Sequence, residues 1–188
     1  MKKILMAASA LVVMSVAAKA QSGSILLYGN VNAGSTKSAA DVKTSNFSIN
    51  PGIGYQFNDN WTVGANLGFG TSKVGDNNKT NQFSAGPFVR YSESLSNTFS
   101  IYGQLHGGFT SSKTTTGNVE VKSNGFNVGL FPAVFVNVNK GFGLNVSFGG
   151  IDFTSSKFKD ASNSSNAFNF TFGQSVNIGI SKNFGGKK

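Results

Sequence analysis

Residues 46–57, "NFSINPGIGYQF", alternate without a break: Phe47, Ile49, Pro51, Ile53, Tyr55 and Phe57 fall on one parity, and Ser48, Asn50, Gly52, Gly54 and Gln56 fall on the other. Successive side chains of an extended strand point to opposite faces, so the stretch reads as a strand with one apolar face and one small, polar face. Nearly all of the volume lies on the apolar side.

The same alternation recurs on both sides of this segment. "WTVGANLGFGTS" sets Trp61, Val63, Ala65, Leu67 and Phe69 against Thr62, Gly64, Asn66, Gly68 and Gly70. Further on, Phe83, Ala85, Pro87, Val89 and Tyr91 share a parity, as do Phe99, Ile101, Leu105 and Phe109, and Phe142, Leu144, Val146 and Phe148. The final segment aligns Phe168, Phe170, Phe172, Val176, Ile178, Ile180 and Phe184. "SILLYGNVNA" (24–33) and "FNVGLFPAVFVNV" (126–138) complete a set of eight strands, the latter apolar on both parities. No helical period competes with period two.

Four related strings punctuate the set: "GSTK" (34–37), "GFGTSK" (68–73), "GGFTSSK" (107–113) and "GIDFTSSK" (150–157). Their closing lysines, Lys37, Lys73, Lys113 and Lys157, recur at a period of roughly 40 residues, as a repeated hairpin does. Short links are expected at 58–60, 92–97 and 139–141, and longer polar loops near 34–44, 73–80, 111–122 and 154–165. Each repeat is then one hairpin, its string closing an odd-numbered strand.

Residues 1–20 belong to none of this. Lys2 and Lys3 precede the apolar run "ILMAASALVVMSVAA", and "AKA" ends it at Ala20, the order of an export signal cleaved before Gln21. A membrane-anchoring helix is disfavoured by the shortness of the run and the cleavage pattern that follows it. Residues 21–188 form one domain, with thirteen basic residues against seven acidic, a net charge near +6. Without a cysteine, disulfides and a lipid-modified N-terminal cysteine are excluded. Charged residues make up only 12 % of the chain, about half the usual share.

That deficit decides which face is inside. A soluble barrel fills its interior with the apolar residues and covers its outside with charge. The strand cores here hold only Arg90, Asp152 and Lys182 as formal charges, with His106 beside them. The polar face is Gly, Ser, Thr, Asn and Gln, small enough for an eight-stranded interior, while Trp61 and most of the eighteen phenylalanines exceed that space. The reading is an all-β, eight-stranded antiparallel up-and-down transmembrane β-barrel, apolar face outward.

The whole segment after the leader resembles the small eight-stranded outer membrane proteins of Gram-negative bacteria, the class of outer membrane proteins A, X and W. Glycine-rich outer membrane β-barrel domain proteins of Bacteroidetes-like bacteria are similar. The resemblance implies an outer membrane location, contact with lipid and lipopolysaccharide, and assembly by the barrel-assembly machinery. The last strand, "VNIGISKNF", resembles the C-terminal signal that this machinery reads, with Ile178, Ile180 and Phe184 as its candidate residues. Many members stop at the aromatic, whereas here "GGKK" follows. Monomeric assembly fits this reading.

Little in the chain points to catalysis. His106, the only histidine, sits at inward parity in the fifth strand, and no acidic residue pairs with it by strand position, so a hydrogen-bonded lumen residue is expected. One histidine and no cysteine rule out a His/Cys metal site, and neither a P-loop nor a dinucleotide fingerprint occurs; no enzyme activity and no cofactor are expected. Arg90, Tyr102 and Phe88 have inward parity, and the last two are placed to block a narrow lumen. Eight loop lysines, Lys37, Lys43, Lys73, Lys79, Lys113, Lys122, Lys157 and Lys159, fall two to each long link, as a collar able to meet lipopolysaccharide phosphate. Asp41, Asp76, Glu120, Asp152 and Asp160 offset part of that charge. Scattered loop lysines on an exported chain do not suit nucleic acid. The expected role is structural and surface-interacting, with a narrow porin and a loop-borne adhesin or receptor as the alternatives.

Overall fold

Residues 23–38, 41–159 and 161–185 are described in the structure, a computed structural model. The leader of residues 1–20, Asp160 and the last three residues of the tail lie outside the described residues. Each alternating segment becomes a strand: β1 (Ser24–Lys37), β2 (Lys43–Gln56), β3 (Trp61–Val74), β4 (Asn78–Ser94), β5 (Phe99–Thr116), β6 (Val119–Asn139), β7 (Phe142–Phe158) and β8 (Ser165–Phe184). Every strand pairs with its chain neighbours, and β8 returns to β1, so the sheet closes into an antiparallel barrel. Closure matters because hydrocarbon offers no hydrogen bonds to an open sheet edge.

The two parities separate as volume dictates. Among the described residues, Leu26, Phe88, Tyr102 and Ala133 are the buried hydrophobics, alongside Ser24, Thr62, Arg90, Gln104, Asn145 and Ser181. On the outside, two rings of aromatic side chains encircle the barrel. Trp61, Tyr91, Phe99, Phe142 and Phe184 form one ring near the chain termini; Phe47, Phe69, Phe83, Phe109, Phe126 and Phe153 form the other. Trp61 packs edge-on against Tyr91 at 5.0 Å, and Phe69 meets Phe83 at 5.4 Å, both as directly opposed cross-strand pairs. Trp61 and Phe69, eight residues apart on β3, are separated by about 26 Å of strand and roughly 20 Å of membrane depth at a ~40° tilt. The ambiguous β6 also finds its register: Ala133 is buried while Leu130 is exposed, so Phe131 and Phe135 turn inward.

The expected long loops are a correction. Segments 73–80 and 111–122 are strand for most of their length, and β5 and β6 meet in a turn at Gly117 and Asn118, with Gly117 at a φ of 57°. β-Branched Thr114, Thr115, Thr116, Val119 and Val121 continue the ladder beyond the aromatic ring. The hairpins project as paired strands rather than as loops.

One part of the wall is thin. β1 and β8 pair at five positions only, from Ile25↔Phe184 to Gly29↔Ile180. Above them, β8 places Gly173, Gln174, Ser175 and Val176 opposite Phe148 alone, between the pairs Gly149↔Phe172 and Ser147↔Asn177. The positive φ of Gly149 (121°) and Gly173 (75°) lets both strands bend there.

Glycine sets how closely the wall approaches the lumen. A Cβ at Gly64 would stand 2.6 Å from Cε1 of Phe88 and press on the Ile53 carbonyl of the adjacent strand, whereas one at Gly103 meets nothing within 4 Å. Gly64→Ala should therefore cost about 2–4 kcal/mol, while Gly103→Ala stays within about 0.5 kcal/mol, as read by urea unfolding in phospholipid vesicles. Equal effects at the two sites would contradict this packing.

Candidate functional site in the lumen and at the rim

The inward face divides the lumen into three levels. Mid-barrel, Phe88 and Gln104 are the largest fully buried side chains. The Arg90 guanidinium lies 4.1 Å from the ring centre of Tyr102 and 4.7 Å from that of Tyr28. Its Nε and Nη2 both donate to Oε1 of Gln104, at 2.9 and 2.7 Å. Gln104 Nε2 donates in turn to the Tyr28 hydroxyl at 2.9 Å, Tyr28 donates to Asn66, and Tyr102 donates to Asn145 Oδ1 at 3.1 Å. Among the described residues no carboxylate forms an ion pair with Arg90. Two aromatic faces and an amide oxygen take that place.

This plug separates two vestibules. The one toward the hairpin tips is a cavity of about 440 Å³ lined by Ser48, Asn50, Gln82, Ser84, Ser112 and Ser123. The one toward the termini is about 530 Å³ and reaches Thr62, Arg90 and Ser181. Glycines make room for the plug: a Cβ at Gly54 would lie 2.9 Å from Phe88, and one at Gly52 would overlap the Tyr28 ring. Arg90, Tyr102 and Phe88 thus come together with Tyr28, Gln104 and Asn66. Sequence reading did not single out those last three, although the inward parity of Tyr28 and Gln104 was the available signal.

His106 corrects the sequence expectation. Its Nε2 lies 3.5 Å from Oδ1 of Asp152. The two are on β5 and β7, and Gly129 of β6 stands between them in one row. Because Gly129 has no side chain, the contact passes over the intervening strand; a Cβ there would lie 2.5 Å from Cε1 of His106. Adjacent-strand pairing conceals such a contact, and Asp152 therefore belongs to the lumen rather than to the loop charges. His106 Nδ1 is buried without a partner, and the ring packs 5.9 Å from Phe131.

At the rim, seven of the eight lysines share the parity of the apolar belt, and Lys159 lies in the turn after β7. Phe69, Thr71 and Lys73 rise along one line, as do Phe109, Ser111 and Lys113, and Phe153, Ser155 and Lys157. Lys37 lies directly opposite Lys43, Lys73 opposite Lys79, and Lys113 opposite Lys122, while the Lys159 amide donates to the Lys122 carbonyl at 2.9 Å. Like charges directly opposed across a ladder repel. Asp41 relieves Lys37 at 2.7 Å, and Glu120 pairs with Lys113. The hydrogen bond from Lys113 holds the exposed Glu120 carboxyl below its ordinary value. Among the described residues, no ion pair engages Lys73 or Lys79. At the other end, Ile178, Ile180 and Phe184 lie exposed on the outer face, with Lys182 over the Phe184 ring at 5.8 Å.

Comparison with known proteins follows the same lines. Residues 6–184 match the family model of the outer membrane protein β-barrel domain. Neisserial surface protein A is 14 % identical, with 86 % of this chain and 96 % of that one covered and a TM-score of 0.52. The outer membrane protein OprG from Pseudomonas aeruginosa is also 14 % identical, covering 88 % and 97 %, with a TM-score of 0.55. At such identities the likeness is one of fold. No curated protein matches the chain.

Gln104 Oε1 accepts two of the plug's hydrogen bonds, both from Arg90. Gln104→Leu keeps the volume but removes the oxygen that accepts from both Nε and Nη2 of Arg90, and should destabilise the barrel by about 2–4 kcal/mol. Urea titration in vesicles measures it; an unchanged midpoint would mean the network carries no stability.

Proposed function

The chain belongs to the outer membrane protein β-barrel domain family, and on that footing we propose that it is a non-catalytic structural protein whose lysine collar holds the phosphates of outer-leaflet lipopolysaccharide. One observation carries the reading: seven of the eight lysines lie on the lipid-facing parity of their strands, beyond the outer aromatic ring, with three pairs directly opposed and Lys159 in the turn that follows β7. In this family the termini face the periplasm, which sets the hairpin tips at the cell surface. A phosphate between two opposed lysines converts their repulsion into attraction, and lysine binds phosphate as a point charge. At about 1 kcal/mol per lysine near an anionic lipid surface, the collar supplies several kcal/mol, weakened by salt.

Holding phosphates that would otherwise repel one another supports membrane integrity. The Lys73–Lys79 pair, with no acidic partner among the described residues, is the strongest single clamp. The narrow-porin reading draws less support, because Phe88, Gln104 and the Arg90 network stand between the two vestibules.

Replacing all eight lysines by glutamine should abolish co-purification with lipopolysaccharide and lower the thermal midpoint in lipopolysaccharide-containing bilayers. The same variant in zwitterionic phosphatidylcholine should melt as the parent does. Lys73→Gln with Lys79→Gln should account for more of the loss than either other opposed pair. Retention of lipopolysaccharide by the eightfold variant would rule the collar out.

A further inference from the structure

Between β1 and β8 the barrel wall is paired only near the termini, and no pairing joins the two strands above Gly29 and Ile180 among the described residues. The gap lies within the apolar belt. Val31, Phe172, Val176 and Ile178 on its two lips are 61–64 % exposed, against 38–51 % for Phe69, Val89, Phe109 and Phe153 elsewhere on the belt, because the lips have no paired strand on the seam side. Backbone N–H and C=O groups along these lips face hydrocarbon unless something bonds to them.

The two sides of the gap differ in chemistry. On the outside, a cavity of about 490 Å³ sits where the pairing ends, walled by Leu27, Val31, Ile49, Ile178 and Ile180, with Lys182 at its terminal end. The same cavity reaches Tyr28 and Asn30, whose parity is inward. Inside, the lip of β1 carries an amide ladder: Asn50 Nδ2 donates to Asn30 Oδ1 at 2.8 Å, and Asn46 Nδ2 to Asn32 Oδ1 at 2.9 Å. Each pair keeps unused donors and acceptors at an exposed position, and Asn177 has the same inward parity on β8. No formal charge stands on the inward face of either lip.

We propose that this seam binds a single-chain amphiphile with an uncharged, hydroxylated head, of the monoacylglycerol kind. The acyl chain lies in the apolar groove, and the head passes between the strands to the asparagine amides. Its hydroxyls and ester oxygen satisfy the unpaired backbone of the lips. An apolar molecule would leave those groups unsatisfied. A carboxylate or phosphate head seated among the asparagines would find no cation beside it, because Lys182, the cation of the groove, lies at its terminal end with Nζ donating to the Lys140 carbonyl at 2.8 Å. The occupied site ends against Tyr28, so the amphiphile touches the rim of the Arg90 plug.

The seam also has a closed register. Continuing the existing pairing sets Val31 opposite Ile178 and Ala33 opposite Val176. The chain has no cysteine, so Val31→Cys with Ile178→Cys supplies the only thiols, at a cross-strand spacing a disulfide accepts.

The test uses the full barrel in phosphatidylcholine nanodiscs with monoolein as the probe, followed by nuclear magnetic resonance. Expected are saturable shifts at the side-chain amides of Asn30, Asn32 and Asn50 and at the backbone amides of Val31 and Ile178. Oleate at the same concentrations should bind at least tenfold more weakly. Oxidising the cysteine pair should weaken monoolein binding at least tenfold, and reduction should restore it. Uniform, non-saturating shifts around the belt, equal binding of oleate, or undiminished binding to the cross-linked protein would each overturn the proposal. If the cross-link does not form, the shift map and the oleate comparison decide it alone. The eightfold lysine variant should bind monoolein as the parent does, so this site and the collar fail independently.

Discussion

Eight strands enclose too little space for large side chains, and everything else in the molecule is arranged around that lack of volume. Phe, Trp, Ile and Leu cannot all go inside, so they go outside, and an outside made of them is stable only in hydrocarbon. Hydrocarbon in turn demands that every backbone donor and acceptor be bonded within the protein, which the closed ladder achieves around most of its circumference. The low share of charge, the glycine-rich polar parity and the two aromatic rings are consequences of one geometric limit.

Within that limit the lumen is filled by compensation between neighbours. Where Phe88 and Tyr28 enter, Gly52, Gly54 and Gly64 stand opposite, and where His106 reaches Asp152, Gly129 clears the way. Arg90 is tolerated because Gln104, Tyr28 and Tyr102 surround its charge. The result is a barrel closed at mid-height with polar vestibules at both ends, which directs attention to its outer surface and to its thin seam rather than to conduction.

Much of the architecture was legible from parity alone. Alternation in "NFSINPGIGYQF" and its counterparts marked all eight strands, and the inward parity of Phe88, Arg90 and Tyr102 placed them in the lumen. Contacts that skip a strand were not legible: His106 meets Asp152 only because the register brings both to the row of Gly129. Hairpin length was misread because "KTTTGNVEVK" is polar, yet its threonines and valines prefer an extended ladder, and Gly117 with Asn118 closes it in two residues. The seam was hidden as well, since Gly149 and Gly173 look like any other small residues on a glycine-rich face until their positive φ values displace the register.

The central claim is that the aromatic parity faces lipid, and the single tryptophan reports on it directly. Trp61 sits outward in the terminal-end ring, half exposed beside Tyr91. In reconstituted vesicles its fluorescence should be quenched by lipids brominated along the acyl chain, more strongly by bromine near the headgroup than near the bilayer centre, and little by aqueous iodide. Quenching by iodide with no response to brominated lipid would place Trp61 in water or in a protein interior, and would contradict the lipid-facing barrel.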